Sequence, residues 1–154
     1  MKILIRKATL ADVSDVRSLE KGIVKHERTL TDNLKTDEDL YFYDIPAIIN
    51  DTEKSLLVVV EDDRKVIGCG FGQIRDNAHY YKQEQFGYIG MMSVLEDYRG
   101  QGLGGKILEA LLDFFRQKNI KEAKLQVVAG NDGAIRSYEK MGFKDHLLEM
   151  KCDL

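Results

Sequence analysis

The segment Arg99-Gly100-Gln101-Gly102-Leu103-Gly104-Gly105-Lys106 constrains this chain more than any other, because it sets four glycines and two cations where an apolar run gives way to an amphipathic helix. Glycine takes positive φ cheaply and lets a ligand come close to the backbone. The first N–H groups of a helix have no internal carbonyl to pair with and sit at the positive end of its dipole. The pattern predicts an anion site, with a phosphate or pyrophosphate as guest.

Three motifs share these letters. Gly100, Gly102 and Gly105 fit G-x-G-x-x-G, but a dinucleotide fingerprint opens a βαβ unit of roughly 30 residues with more sheet behind it, and little chain follows here. Gly100 to Lys106 fits most of a P-loop, the mark of a nucleotide-binding phosphotransferase, yet Ile107 stands where a Ser or Thr hydroxyl should ligate Mg²⁺. A hydrocarbon side chain cannot do that. The third reading, Arg99-x-x-Gly102-x-Gly104, resembles the Arg/Gln-x-x-Gly-x-Gly/Ala motif of the GNAT superfamily of N-acetyltransferases. In that family the motif follows the fourth strand and begins the third helix, as it would here between Tyr88–Val94 and Leu103–Gln117. The resemblance implies that Arg99 to Gly105 wrap the pyrophosphate of acetyl-CoA in backbone amides.

A second signature lies further on. Asn131-Asp132-Gly133-Ala134-Ile135-Arg136-Ser137-Tyr138-Glu139-Lys140-Met141-Gly142-Phe143 is similar to the family's Asn-x-x-Ala-x-x-x-Tyr-x-x-x-Gly-Phe pattern. Each position also has a physical reading. Asn131 can cap a helix and bond the cofactor arm, Ala134 permits close approach, and Tyr138 lies one turn further on the same face. Gly142 is placed for a left-handed C-terminal cap. Taken alone, Tyr138 reads as an aromatic on the buried face of a short helix. The two signatures and their flanks carry the resemblance from Ser55 to Leu154.

Length, charge and cysteine content set wider bounds. A chain of 154 residues suits one domain with a real core, read here as a single N-acetyltransferase domain over 1–154. The net charge of −3 gives no global pull towards nucleic acid or an anionic membrane. Cys69 sits in an apolar run and Cys152 near the end, without C-x-x-C or neighbouring His, so neither a disulfide nor a metal site is expected. No 18-residue apolar run appears and the N-terminal apolar core is too short for a signal peptide. The expected location is cytoplasmic, and a homodimer is compatible with these features.

Along the chain, Ile3–Lys7 reads as a strand, and Thr9 to Asp12 has the spacing of a capping box before a helix of about four turns carrying Val13, Val16, Leu19 and Ile23. From Glu27 to Lys54 the pattern is irregular, with Pro46 near a helix start or bend. Ser55–Glu61 and Lys65–Gln73 form a hairpin, Arg75–Gln85 reads as a loop, and Phe86–Val94 as the next strand. After the glycine turn come a helix ended by Asn119, a strand over Ala123–Ala129, a helix over Asp132–Met141, and closing strands at Phe143 and Leu147–Lys151. This order, β-α-α-β-β-β-α-β-α-β-β, is a mixed-sheet α/β (α+β) domain with helices flanking a central sheet.

The resemblance implies acetyl transfer to a primary amine of a small molecule or peptide, without metal. Such a reaction needs a neutral nucleophile, donors for the oxyanion and a proton for the departing thiolate. Tyr138 would supply the proton. The strand through Met92 and Val94 would pair with the pantetheine arm, and a backbone N–H there, that of Met92, would polarise the thioester carbonyl. Many relatives carry a Glu or Asp on the fourth strand as base, where this chain has Gly90 and Met91. His26, Glu27, His79 and Glu84 are the remaining candidates, with Glu27 and Glu84 also read as acceptor-binding. Glu27–Lys54 holds eight acidic and three basic residues, which would favour a cationic amine if they line the acceptor groove and are otherwise a solvated face. A non-catalytic acyl-CoA-binding module would keep the glycine turn without needing Tyr138.

Overall fold

The run Leu56-Leu57-Val58-Val59-Val60 is apolar without alternation, so as a strand it must be covered on both faces. It forms the centre of β2 (Ser55–Asp62) in a computed structural model that describes all residues from Met1 to Leu154. The sheet order follows the chain: β1 (Ile3–Lys7), β2, β3 (Lys65–Asp76), β4 (Gln85–Val94) and β5 (Ala123–Leu125). The first four strands are antiparallel, and β5 runs parallel to β4. Leu57 and Val59 pack with Phe71 and Cys69 beneath α1 (Val13–Arg28) and α2 (Ile45–Asn50). Val58 and Val60 pack on the opposite face with Ile67, Ile107 and Leu111 beneath α3 (Leu103–Gln117). The result is a mixed five-stranded sheet with helices on both faces.

Local signals place most element ends. Asp63 and Arg64 both take positive φ (47° and 72°), which matches the twist of the β2–β3 hairpin. At the start of α1, the Asp12 carboxylate accepts the Thr9 N–H at 2.7 Å and both Arg6 terminal nitrogens at 2.8 and 2.9 Å. Arg6 also bonds Glu61 at 3.0 Å, so the expected cap is part of a network joining β1, β2 and the first helix. The Arg6 guanidinium holds the Asp12 carboxyl below the usual carboxylate range. Asp44 caps α2 through the Ala47 N–H, with Pro46 in the first turn. Asn119 (φ 60°) ends α3, and Gly142 (φ 96°) ends α4 (Asp132–Lys140); in each case the next residue's N–H reaches back to a carbonyl of the helix.

Three expectations need correction. The β3–β4 connection is shorter than Arg75–Gln85, because Arg75 pairs with Phe86 and Asp76 with Gln85. The strand expected over Ala123–Ala129 stops at Leu125, since the chain leaves β4 after Ile89 and turns at Val128–Asn131. The closing strands at Phe143 and Leu147–Lys151 do not form. Leu148 and Met150 alternate with Glu149 and Lys151 as strand residues would, but a strand needs a neighbour for its backbone groups. A three-residue β5 offers little edge, and Leu147, Leu148 and Met150 stand 80%, 80% and 83% exposed.

Candidate active site

A single extra residue in β4 opens the site. The ladder pairs Phe71 with Gly90 and Cys69 with Ser93, leaving Met91 and Met92 opposite one residue of β3, with Met91 at φ 54°. Such a bulge bends its strand and redirects the backbone. The pairing of β4 with β5 stops at Ile89 and Leu125. Beyond that point the two segments part, and a groove of about 1050 Å³ runs between Met91–Leu95 on one side and Leu125–Val128 on the other.

The glycine turn and α4 build one end of this groove. Gly100 and Gly102 adopt φ of 76° and 78°, and a Cβ at either would meet nothing within 4 Å. Gly102 is the N-cap of α3 and offers no side-chain hydrogen bond, so the first N–H groups of the helix remain for an outside acceptor. Arg99 donates from Nε to the Val94 carbonyl at 3.0 Å, tying the turn to the end of β4. Gly104 and Gly105 line the groove, as do Arg99, Met92 and Val94. Gly100, Gln101 and Gly102 are exposed outside the lining, and Leu103 is buried in the core at 4% exposure. Asn131, Ala134 and Tyr138 line the groove from α4. Asn131 accepts the Ala134 N–H at 3.4 Å. The Tyr138 phenol is pushed up by burial and then by the neighbouring Tyr88.

The other end comes from α1, residues 42–43 and the first half of β4. Here His26 and Glu27 of α1, Tyr43 and Tyr88 line the groove. Burial raises the Glu27 carboxyl above its ordinary value. The hydroxyls of Tyr43 and Tyr88 share a 3.0 Å hydrogen bond, and the Arg75 guanidinium lies 3.8 Å over the Tyr88 ring. Glu20, only 1% exposed, accepts the N–H groups of Phe42 and Tyr43, both at 3.1 Å. Arg17 bonds Glu20 at 2.7 Å and the Tyr43 carbonyl at 2.8 Å.

Two expected acceptor-side residues lie elsewhere. His79 and Glu84 are exposed on the β3–β4 connection, which is held by the Asn77 N–H bonding the Glu84 carbonyl, and neither lines the groove. Among the eight acidic residues of Glu27–Lys54, only Glu27 lines it. Asp44 and Asp51 accept backbone N–H groups about α2, and Asp32, Asp37, Glu38, Asp39 and Glu53 are exposed. Most of the acidic excess is therefore a solvated surface. Tyr43, Tyr88, Arg17 and Glu20 were not singled out by the sequence, since nothing local marks partners 22 to 45 residues apart. No three His, Cys, Asp or Glu side chains are grouped to hold a metal, and no helix is long and apolar enough to cross a membrane.

In sequence and overall fold the chain resembles known acetyltransferases. An N-alpha-acetyltransferase of Sulfurisphaera tokodaii is 27% identical over 149 residues, covering 92% of this chain and 80% of that protein. Other curated acetyltransferases match more locally, and the aligned part spans only 23% to 39% of their length. An X-ray structure of a tetramutant of the BH1408 protein from Bacillus halodurans superposes with a TM-score of 0.83 at 25% identity, covering 98% of this chain and 99% of that one. A predicted acetyltransferase from Clostridium acetobutylicum, solved with acetyl-CoA, has the same fold, with a TM-score of 0.71 at 21% identity over 97% of this chain and 96% of that one. The family model described as Acetyltransferase (GNAT) family matches residues 23–143, and the chain belongs to that family.

Proposed function

We propose that the protein transfers the acetyl group of acetyl-CoA to a primary amine of a small molecule or peptide by direct attack, with Tyr138 as general acid. The observation that carries this reading is that one groove joins the uncapped start of α3, the opened edge of β4 and the Tyr138 side chain. The glycine turn suits a pyrophosphate. The β4 edge beyond Ile89, free of β5, suits an extended amide arm, and the backbone N–H at Met92 would polarise the thioester carbonyl. The likeness of the whole chain to an N-alpha-acetyltransferase supports peptide N-termini among the acceptors.

The proton account closes with this chain's own groups. An acceptor ammonium first loses a proton to a base, and the free nitrogen attacks the thioester carbon. The C–S bond breaks as Tyr138 gives its proton to sulfur, and the proton shed by the new amide nitrogen restores the phenol. A phenol with an ordinary pKa of about 10 is protonated at neutral pH and a fair match for a thiolate, and burial raises that of Tyr138 further. Glu27 is the base in this reading, because it lines the groove and burial brings its carboxyl closer to neutrality.

The test is release of free thiol from acetyl-CoA with a panel of alkylamines, amino acids and peptides. Binding of acetyl-CoA without thiol release from any amine would reduce the protein to an acyl-CoA-binding module. A base works ionised, so activity should fall as pH drops through the raised Glu27 pKa, and Glu27→Gln should remove that acid limb together with most of the rate. An unaltered acid limb in Glu27→Gln would assign the base elsewhere.

A further inference from the structure

The wall that Tyr43 and Tyr88 give the groove is held by hydrogen bonds between parts of the chain far apart in sequence. A Cβ at Gly90 would lie 2.7 Å from the Phe71 ring and 3.1 Å from the Tyr43 hydroxyl oxygen. A side chain there would have to displace the Phe71 ring first and then the Tyr43 hydroxyl, which comes from a distant part of the chain. The Tyr43 ring stands edge-on to Phe71 at 4.7 Å between centroids, and its hydroxyl bonds that of Tyr88 at 3.0 Å. Glu20 and Arg17 hold the backbone of Phe42 and Tyr43 by three hydrogen bonds of 2.8 to 3.1 Å and bond each other at 2.7 Å. Burying a carboxylate is costly even when it is paired, and here the carboxylate holds an otherwise irregular segment at the point where it enters the groove.

The geometry points to the paired hydroxyls of Tyr43 and Tyr88 as the seat of the acceptor's amino group, in the place where relatives set a fourth-strand carboxylate. This rests on the acetyl-transfer reading above and names its acceptor subsite. Two hydroxyls that share one hydrogen bond still have one O–H and spare lone pairs. Tyr43 and Tyr88 both line the groove, and in this reading their spare lone pairs take the N–H groups of an ammonium or amine. Burial and the Tyr88 hydroxyl push the Tyr43 phenol well up, so Tyr43 holds the amine as a neutral hydroxyl. Ile23, Leu30 and Phe42 line the same end. The acceptor class is therefore a primary amine with an apolar group near the nitrogen, in contrast to the polycation that the acidic segment alone would suggest.

The experiment uses n-butylamine as the minimal acceptor, with Tyr43→Phe, Tyr88→Phe and the double variant. Acetyl-CoA affinity is measured by calorimetry, thiol release gives kcat/KM for the amine, and phenol difference absorbance follows n-butylammonium binding. Each single variant should lose about 10- to 100-fold in kcat/KM for the amine, the worth of a hydrogen bond to a charged group. The double variant should lose little more, since the two hydroxyls act as one unit. Acetyl-CoA affinity should hold, and the difference signal of the wild type should vanish in Tyr43→Phe. Unchanged amine kinetics in both single variants, or no difference signal in the wild type, would overturn the subsite. Loss of acetyl-CoA affinity in the variants would overturn it too, by making the pair a prop of the fold. A wild type that binds no acetyl-CoA and acetylates nothing in the amine panel instead refutes the acetyl-transfer reading itself.

Discussion

The two ends of the groove are built in different ways. The end formed by Met91 to Gly105 and Asn131 to Tyr138 uses two short segments whose shape is set by local backbone devices. These are a bulge at Met91, left-handed glycines at Gly100 and Gly102, and an Asn cap at Asn131. The end formed by α1, Tyr43 and Tyr88 uses side chains that meet across the sequence, with a buried carboxylate as fastener. A local device appears in the sequence as residue types at fixed spacing, because few residues satisfy it. A long-range fastener can be exchanged for another without disturbing the strand order. One fold can therefore keep its locally built end while the other end is rewritten.

The largest expected effect lies at Tyr138, in the locally built end. Tyr138→Phe keeps the ring's contact with Phe143 and removes only the acid, so kcat should fall by about 10²–10⁴-fold while acetyl-CoA affinity stays the same. An unchanged kcat, with acetyl transfer shown to be rate-limiting, would take Tyr138 out of the mechanism. Next comes Glu20→Gln, which leaves the shape of the clamp but removes its charge. Stability should drop by about 1.5–3 kcal/mol in urea titration, the range for hydrogen bonds involving a charged group. The KM of the acceptor should rise while that of acetyl-CoA does not. Equal changes in both constants would mean that the two ends are not built independently.

The same difference explains what the sequence disclosed. The Asn131–Phe143 helix with its two caps was legible because Asn at one end and Gly142 at the other answer to backbone geometry. The β2–β3 hairpin was legible through the two β-rich runs Ser55–Glu61 and Lys65–Gln73. The bulge at Met91 was not, since a methionine in the left-handed region carries no residue-type signal. The Arg6–Asp12–Glu61 network was hidden because only Thr9 and Asp12 are near in sequence. The acidic stretch left two readings open for a physical reason: charge composition does not say which way side chains face, and of its eight acidic residues only Glu27 lines the groove. At the tail, the Leu148–Lys151 alternation stated a tendency that no neighbouring strand completes.

A smaller effect tests how far a local device can stand alone. Gly102→Ala adds a Cβ into open space but at φ 78°, where an L-residue costs about 1–2 kcal/mol. If the turn keeps its shape, the loss appears in thermal stability. If it relaxes, acetyl-CoA affinity falls by up to about tenfold for each 1.4 kcal/mol. Neither change would mean that the left-handed turn is not required at this end.

Asn131→Ala should give the smallest effect. The side chain accepts the Ala134 N–H over 3.4 Å, a long hydrogen bond at the start of a nine-residue helix whose other end is fixed by Gly142. Loss of such a cap costs about 1 kcal/mol at most sites, and α4 itself has no fully buried residue to add cooperativity. Because Asn131 also lines the groove, its removal is measured on stability and on acetyl-CoA affinity separately. Thermal unfolding without ligand measures the first, and calorimetry with acetyl-CoA below the unfolding range measures the second. A stability loss with full affinity leaves Asn131 as a cap that merely stands beside the groove. A fall in affinity at equal stability makes it a contact to the cofactor arm, and the local device then serves fold and site together.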